Sequence, residues 1–466
     1  MSSFNTCSVS LRIILPLFFL VLVPADGHSP ATAVVGDRDT LLAIKKDCGS
    51  PRQLASWNPA AAADHCAWTG VRCAGGHGRD DDGGGVVEEL LLPGLNLSGT
   101  VPASVCALKN LTRLDLSYNN LTGTFPITAL HACAHLRFLD LSNNAFAGPL
   151  PSDIDSLSPV IEHLNLSSNS FDGVVPAAVG KLTALKSLLL DTNRFTGMYP
   201  AVEISKLVGL ECLTLADNPF APAPVPAEFA KLRKLTYLWL SNMTLTGGIP
   251  EAFSSLTELW LIDLSDNQLT GKIPAWVWHH RKLKYVYLYN NSLSGELLRN
   301  ITATNLIEID LSMNQLTGDI PEGFGDLKNL TLLFLYRNQL TGTIPASIGL
   351  LPQLMDLRLS NNFLSGELLP ELGKHSQLEN LEVSNNNLSG PLPGTLCANG
   401  KLHSLIAFNN SFFGELPANL HDCVNLEYLD LSINHFSGAI PAGSIGQLQR
   451  LHTLDLSDNQ FSSIRL

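Results

Sequence analysis

The stretch Leu330 to Gln353, LTLLFLYRNQLTGTIPASIGLLPQ, decides how the rest of the chain is read. Written as L-x-x-L-x-L-x-x-N-x-L-x-G-x-I-P, it puts apolar side chains at Leu330, Leu333, Leu335, Leu340, Ile344 and Ile348. The alternation around Leu333 and Leu335 is that of a short strand with one buried face. One such unit cannot bury that face alone, whereas a stack of them can, each strand pairing with the next over a continuous leucine core.

The first apolar residue of the pattern recurs at Val87, Leu111, Leu136, Ile161, Leu185, Leu210, Leu235, Leu259, Leu283, Leu306, Leu330, Leu354, Leu378, Leu402, Leu426 and Leu451. The steps between these sixteen positions are 23 to 25 residues, within the range of leucine-rich repeats. A single match would carry little weight; a register held over about 380 residues leaves hardly any room for a competing fold.

The period, with L-x-G-x-I-P after the Asn, resembles the plant-type leucine-rich repeat of receptor-kinase ectodomains. NLTRLDLSYNNLTGTFP (Asn110 to Pro126) and NPFAPAPVPAEF (Asn218 to Phe229) most resemble the HAESA and HAESA-like group. The resemblance runs from about Asp37 to Phe461. It implies an α/β solenoid: a right-handed leucine-rich-repeat superhelix with a curved parallel sheet on its concave face, short second strands and 3-10 turns. It also implies an extracellular receptor module that binds a secreted peptide or small protein, with a co-receptor ectodomain as a further partner.

Composition sets bounds. The formal net charge is −13 and the isoelectric point near 5.4, which argues against nucleic acid and anionic membrane surfaces as partners. Mean hydropathy is +0.15, raised by the repeated leucines and one apolar leader. Residues 1–27 read as a secretory signal peptide: Arg12 precedes the apolar run Ile13 to Val23, and small residues follow at Ala25 and Gly27. That run is too short for a bilayer span, which takes roughly twenty residues. No later segment is long and apolar enough to insert, so the expected location is secreted or extracellular.

Residues 37–73 form the expected N-terminal cap, with helical spacing over Thr40 to Cys48 and a second short helix over Pro51 to Trp57. Cys66-Ala-Trp-Thr-Gly-Val-Arg-Cys73 resembles the C-x-W-x-G-V-x-C block of plant repeat caps, which implies a Cys66–Cys73 bridge and a Trp lid over the first leucines. Zinc is the other reading of close cysteines, but no second ligand pair has suitable spacing. Residues 74–86, rich in Gly and Asp, read as a flexible loop; the three successive Asp do not alternate as calcium ligands do. About sixteen repeats then occupy 87–466, and the last breaks after Phe461 without a C-terminal cap. A truncated receptor product is the expectation from that break.

Of nine cysteines, Cys7 falls in the leader. Cys106 and Cys133 stand at the same offsets before Leu111 and Leu136 as Cys397 and Cys423 before Leu402 and Leu426, which predicts bridges 106–133 and 397–423. Cys48 and Cys212 are left over, Cys48 as a buried thiol. Ten glycosylation sequons sit at Asn96, Asn110, Asn120, Asn165, Asn242, Asn290, Asn300, Asn329, Asn387 and Asn409. Two repeats depart from the pattern: the sixth carries the proline-rich connection Phe220 to Pro226, and the seventh has Met243 in place of the recurring Asn, where an irregular turn is expected.

The x residues around the strand leucines point to the concave face. Many of the central ones are Asp within L-D-L-S (Asp115, Asp140, Asp263, Asp310, Asp430, Asp455) and read as solvated filler. Aromatics there are different, because a solvated face has no need of them. They cluster: Tyr237 and Trp239, then Tyr285, Tyr287 and Tyr289, then Phe334 and Tyr336, among Asp263, Glu308, Asp310, Arg337, Asp356 and Arg358. These residues are the predicted ligand-binding set, a track of roughly 25 to 30 Å that eight or nine extended residues would span. The alternative is that the rings pack on one another or under a glycan at Asn290. Where HAESA-type receptors carry the Arg-x-Arg that holds a peptide's C-terminal carboxylate, this chain has Tyr428 and Asp430; Arg337 and Arg358, read as neighbours, are the candidates for an anionic group.

No catalytic constellation, phosphate loop, cofactor motif or metal-ligand set emerges, and His279-His280 reads as a surface turn. The function expected is peptide recognition and not catalysis. The rivals are an inhibitor of secreted cell-wall-degrading enzymes, with the concave face gripping a folded protein, and a non-functional receptor fragment.

Overall fold

The computed structural model describes residues 36–60, 62, 64–74 and 85–465. The predicted leader, and most of the Gly/Asp loop, lie outside the described residues. Two compact units divide the chain, residues 1–194 and 195–466.

In the first unit the cap opens with the helix Asp37–Asp47, which buries Thr40, Leu41 and Ile44. The second predicted helix is a single 3-10 turn, Arg52–Leu54, closed by Pro51 before it. Trp57 and Trp68 are fully buried and stacked with centroids 6.1 Å apart. Their indole N–H groups donate to the carbonyls of Thr69 at 2.8 Å and Ala62 at 3.0 Å, so neither indole is left without a partner. The strand Val71–Cys73 pairs antiparallel with the first repeat strand, Val87–Leu91, and the Cys66–Cys73 disulfide ties it down. Gly70 permits that junction: its φ is +75°, and a Cβ there would sit 2.1 Å from the Leu91 carbonyl oxygen. The strands Arg113–Asp115, Phe138–Asp140, His163–Asn165 and Ser187–Leu189 then add in parallel, in sequence order.

The second unit repeats the same step from Cys212–Thr214 to Thr453–Asp455, eleven parallel strands in unbroken register. Each strand is three residues long; from Leu261–Asp263 to Asp356–Arg358 the central apolar residue is buried while most flanking residues are partly exposed, as in Tyr285–Tyr287, Glu308–Asp310 and Asp356–Arg358. A second layer of short strands follows the recurring Asn, and 3-10 turns such as Glu322–Asp326 and Ala346–Leu350 lead to the next repeat. The leucines that begin the repeats from Leu210 to Leu426 are fully buried, whereas Leu454 in the last strand is 44% exposed.

The recurring Asn holds one coil to the next. Asn338 is typical: its Nδ2 donates to the carbonyls of Leu311 (3.0 Å), Leu335 (3.1 Å) and Tyr336 (3.4 Å), and its Oδ1 accepts from the Leu316 N–H at 3.0 Å. In the seventh repeat Met243 is buried in that position and supplies none of these bonds. Asn242 before it is left-handed (φ 50°) as in the other repeats, but here Thr244 after it is left-handed as well (φ 57°), and Thr244 Oγ1 donates to the Phe220 carbonyl at 2.9 Å.

Disulfides also join Cys106 to Cys133 and Cys397 to Cys423, each with Cα atoms 4.8 Å apart in the turns between strands. Cys48 is free and buried, and burial pushes its thiol up to about 11. His280 corrects the surface-turn expectation: it ends the Ala275–His279 helix as a buried ring, bonded through Nε2 to the Leu256 carbonyl at 2.8 Å and set edge-on to Trp276.

Candidate ligand-binding face

Parallel register in the second unit converts residues about 24 apart in sequence into neighbours. The third residue of each strand forms one line: Trp239 beside Asp263, then Tyr287, Asp310, Phe334 and Arg358. The first residues form a second line: Tyr237, Leu261, Tyr285, Glu308, Leu332 and Asp356. Since Leu238, Ile262, Val286, Ile309, Leu333 and Leu357 between them are all buried, both lines lie on one face. Tyr237, Tyr287 and Phe334 therefore share a surface.

The rings also pack on one another, in two groups. Tyr237 meets Trp260 at 5.4 Å, Trp260 meets Tyr285 at 5.7 Å, both edge-on, and Tyr285 meets Tyr287 at 6.4 Å. Phe334 and Tyr336 are 6.1 Å apart, with the Arg358 guanidinium 4.7 Å from the Phe334 centroid. Such contacts fix rotamers before a ligand arrives, which lowers the entropy cost of binding. Most of the rings remain half-exposed, so packing does not use up the surface. Trp260, which bridges Tyr237 and Tyr285, is absent from the set predicted by sequence. It stands at the first x of L-x-x-L, one position before the strand, and an aromatic there was the available signal.

Polar groups hold the strip's edges. The Tyr287 hydroxyl donates to Glu308 Oε2, and burial together with that carboxylate pushes the phenol well above its usual range. Trp239 Nε1 donates to Ser241 Oγ at 2.6 Å. Asn290 is exposed, in the turn just beyond Tyr289, and its Nδ2 donates to Asp266 Oδ1 at 2.7 Å.

Two expectations need correction. The L-D-L-S aspartates are not simply solvated filler: Asp263 Oδ1 accepts from the Ser265 N–H (2.9 Å) and Oγ (2.6 Å), Asp310 Oδ1 likewise from Ser312, and the pattern repeats at Asp115, Asp430 and Asp455. The carboxylate caps the turn that ends its own strand. Arg337 and Arg358 are not a pair on neighbouring strands. Arg337 is exposed in the left-handed turn after its strand (φ 53°), while Arg358 is held by both oxygens of Asp356 (2.9 and 3.0 Å) and by Glu382 (3.1 Å). Arg358 is thus already neutralised. At the positions of the absent Arg-x-Arg, Tyr428 is 47% exposed and Asp430 is bound to Ser432.

Burial pushes the Asp263 carboxyl up to about 7 and the Asp310 carboxyl up to about 6, the bonds from their serines offsetting part of the desolvation. A folded-state value above the unfolded one means that the folded chain keeps its proton longer. This stability is fully present below pH about 4 and is lost as pH rises through about 7. Asp263→Asn keeps the acceptor for Ser265 and removes the titration. It is expected to gain about 1 to 2 kcal/mol over the parent between pH 5 and pH 8, less than the full shift because the group is partly exposed. Urea midpoints at the two pH values measure this, and parallel pH dependences in parent and variant would contradict it.

Among the described residues no helix is long and apolar enough to cross a membrane. The one close set of metal-ligand types among the described residues, His65, Cys66 and Cys73, contains two sulfurs bonded to each other and so offers no thiolate.

The Leucine rich repeat N-terminal domain matches residues 36–74, and Leucine rich repeat families match 109–159, 161–182, 233–293, 304–364, 377–399 and 425–446. The Arabidopsis receptor kinase HAESA, solved in complex with the peptide hormone IDA and the co-receptor SERK1, is 37% identical with a TM-score of 0.86, over 91% of this chain and 70% of that one. The Leucine-rich repeat receptor protein kinase EMS1 of Arabidopsis thaliana is 33% identical over 105 residues, 22% of this chain and 8% of its own length. Polygalacturonase inhibitor 1 of Oryza sativa subsp. japonica is 32% identical over 124 residues, 26% of this chain and 34% of its own. The matched segments thus span about a third or less of these two curated relatives. With the N-terminal domain matched at residues 36–74 and 37% identity to such a receptor over 70% of its length, the chain belongs to the family of plant leucine-rich-repeat receptor-kinase ectodomains.

Proposed function

We propose that this chain is an extracellular recognition module that binds a secreted peptide across the strand face of its second unit, as the ectodomain of a receptor-like kinase or a form of it. The observation that carries this reading is the single face on which Tyr237, Trp239, Trp260, Tyr285, Tyr287, Phe334 and Tyr336 stand, braced by ring contacts and rimmed by carboxylates. Preorganised aromatic anchors with a polar surround are the composition of a binding hot spot. The HAESA complex supports peptide recognition and a co-receptor partner in this fold. With Tyr428 and Asp430 in place of two arginines, the peptide's terminal carboxylate is not gripped at that strand.

Secretion would present nine of the ten sequon asparagines for glycosylation, since they are exposed. Asn165 is set apart: it is half-buried on a strand and donates to Asp140 Oδ2 at 2.9 Å.

The test is capture of peptides from a secreted pool by the purified chain, with a polygalacturonase titrated in parallel. Saturable binding of a short peptide, lost on Tyr287→Ala, is the expected result. Binding of the folded enzyme and of no peptide would transfer the chain to the inhibitor reading.

A further inference from the structure

The proposed strip has a period of its own. Along the line of third residues, aromatic and acid alternate: Trp239, Asp263, Tyr287, Asp310, Phe334. Adjacent strands are about 4.8 Å apart, so equivalent groups recur every ~9.6 Å. A polyproline II helix repeats every three residues, about 9.3 Å, whereas side chains on one face of a β-extended peptide recur every ~6.7 Å. Over one repeat of the strip, the step from Asp263 to Asp310, the first stays in step within about an ångström, while the second is close to half a period out.

Charge selects further. Among the described residues the strands from Tyr237–Trp239 to Asp356–Arg358 carry four carboxylates and one cation, Arg358, which Asp356 and Glu382 already neutralise. Glu308 takes the Tyr287 hydroxyl and Asp356 takes Arg358, so both are engaged. Asp263 and Asp310 are different: each uses Oδ1 for its own serine and leaves Oδ2 without a hydrogen-bond partner among the described residues. Each stands between two aromatic residues on the neighbouring strands, which is an environment for a cationic side chain, with π faces beside it and a carboxylate beneath.

We propose that the strip takes a basic peptide in polyproline II conformation, with Arg or Lys at positions i and i+3 seated over Asp263 and Asp310. This rests on the peptide-binding reading above and adds the ligand's charge, spacing and backbone form.

The probes are four synthetic nonapeptides on one proline-rich backbone: arginines at i and i+3, arginines at i and i+2, glutamates at i and i+3, and alanines at both positions. Calorimetry on the full chain should rank the i, i+3 arginine peptide at least about tenfold tighter than the other three. Asp263→Asn with Asp310→Asn, checked by thermal melting for retained fold, should remove most of that advantage and flatten its dependence on salt. Equal binding of the two arginine spacings would overturn the register, and equal binding of arginine, glutamate and alanine peptides would overturn the charge selection. If a neutral or acidic peptide from the secreted pool binds and is lost on Tyr287→Ala, the inference falls while the peptide-binding reading stands. If no peptide of either origin binds, both fall.

Discussion

Replacing Tyr287 and Tyr336 together by alanine is expected to weaken a captured peptide by well over tenfold, each ring contributing more than about 1 kcal/mol. Tyr287 is the joint of the strip: it contacts Tyr285, donates its hydroxyl to Glu308, and sits in register between Asp263 and Asp310. Tyr336 braces Phe334 from the following turn. Neither ring fills the leucine core, where Val286 and Leu335 are fully buried, so the variants should fold. Tyr287→Phe separates the hydroxyl from the ring. It keeps the tilted contact with Tyr285 and loses the bond to Glu308, and should cost less than the alanine change. Unchanged affinity in the double variant, with melting temperature intact, would remove the strip from the account.

The largest effect on stability is expected at the recurring Asn. Asn338→Ala deletes bonds to Leu311, Leu335, Tyr336 and Leu316 at once, in a position 7% exposed. The Leu316 N–H would be left buried without that partner, at roughly 1 to 3 kcal/mol when unrelieved, and each of the other bonds lost adds about 1 kcal/mol, although the Leu311 and Leu335 carbonyls keep the Nδ2 groups of Asn314 and Asn362. With partial backbone relaxation of the kind seen around Met243, a net loss of about 3 to 5 kcal/mol is the expected outcome. Denaturant melts of parent and variant check this, read with a local probe because coils of a solenoid need not unfold together. A loss below about 1 kcal/mol would mean that leucine packing alone sets the spacing of the coils.

The repeat register was readable from the leucines because burial of one strand face permits only one phase: a slip by one residue would turn every Leu outward. That phase also determined that Tyr237, Tyr287 and Phe334 share a face. What escaped is what depends on geometry beyond period two. Trp260 lies one residue before its strand, where alternation gives no direction, and only its packing against Tyr237 and Tyr285 places it with the strip. Arg337 follows Tyr336 in sequence but occupies the left-handed turn, which takes it off the strand. Asp263 and Asp310 read as filler because the pattern L-D-L-S records composition, whereas the Asp-to-Ser turn bond is a matter of backbone conformation. His280 was misread for a related reason, since neither its neighbours in sequence nor its polarity reveal the Leu256 carbonyl 24 residues earlier.

The central claim is that ligand contact falls on the strand face between Tyr237 and Arg358. Photo-crosslinking of a captured peptide, with the adducts mapped by mass spectrometry, tests it most directly. The account predicts adducts on Trp239, Trp260, Tyr287, Phe334 and their strand neighbours. Adducts confined to the 3-10 turns, such as Glu322–Asp326 and Ala346–Leu350, would place the ligand on another surface and contradict it.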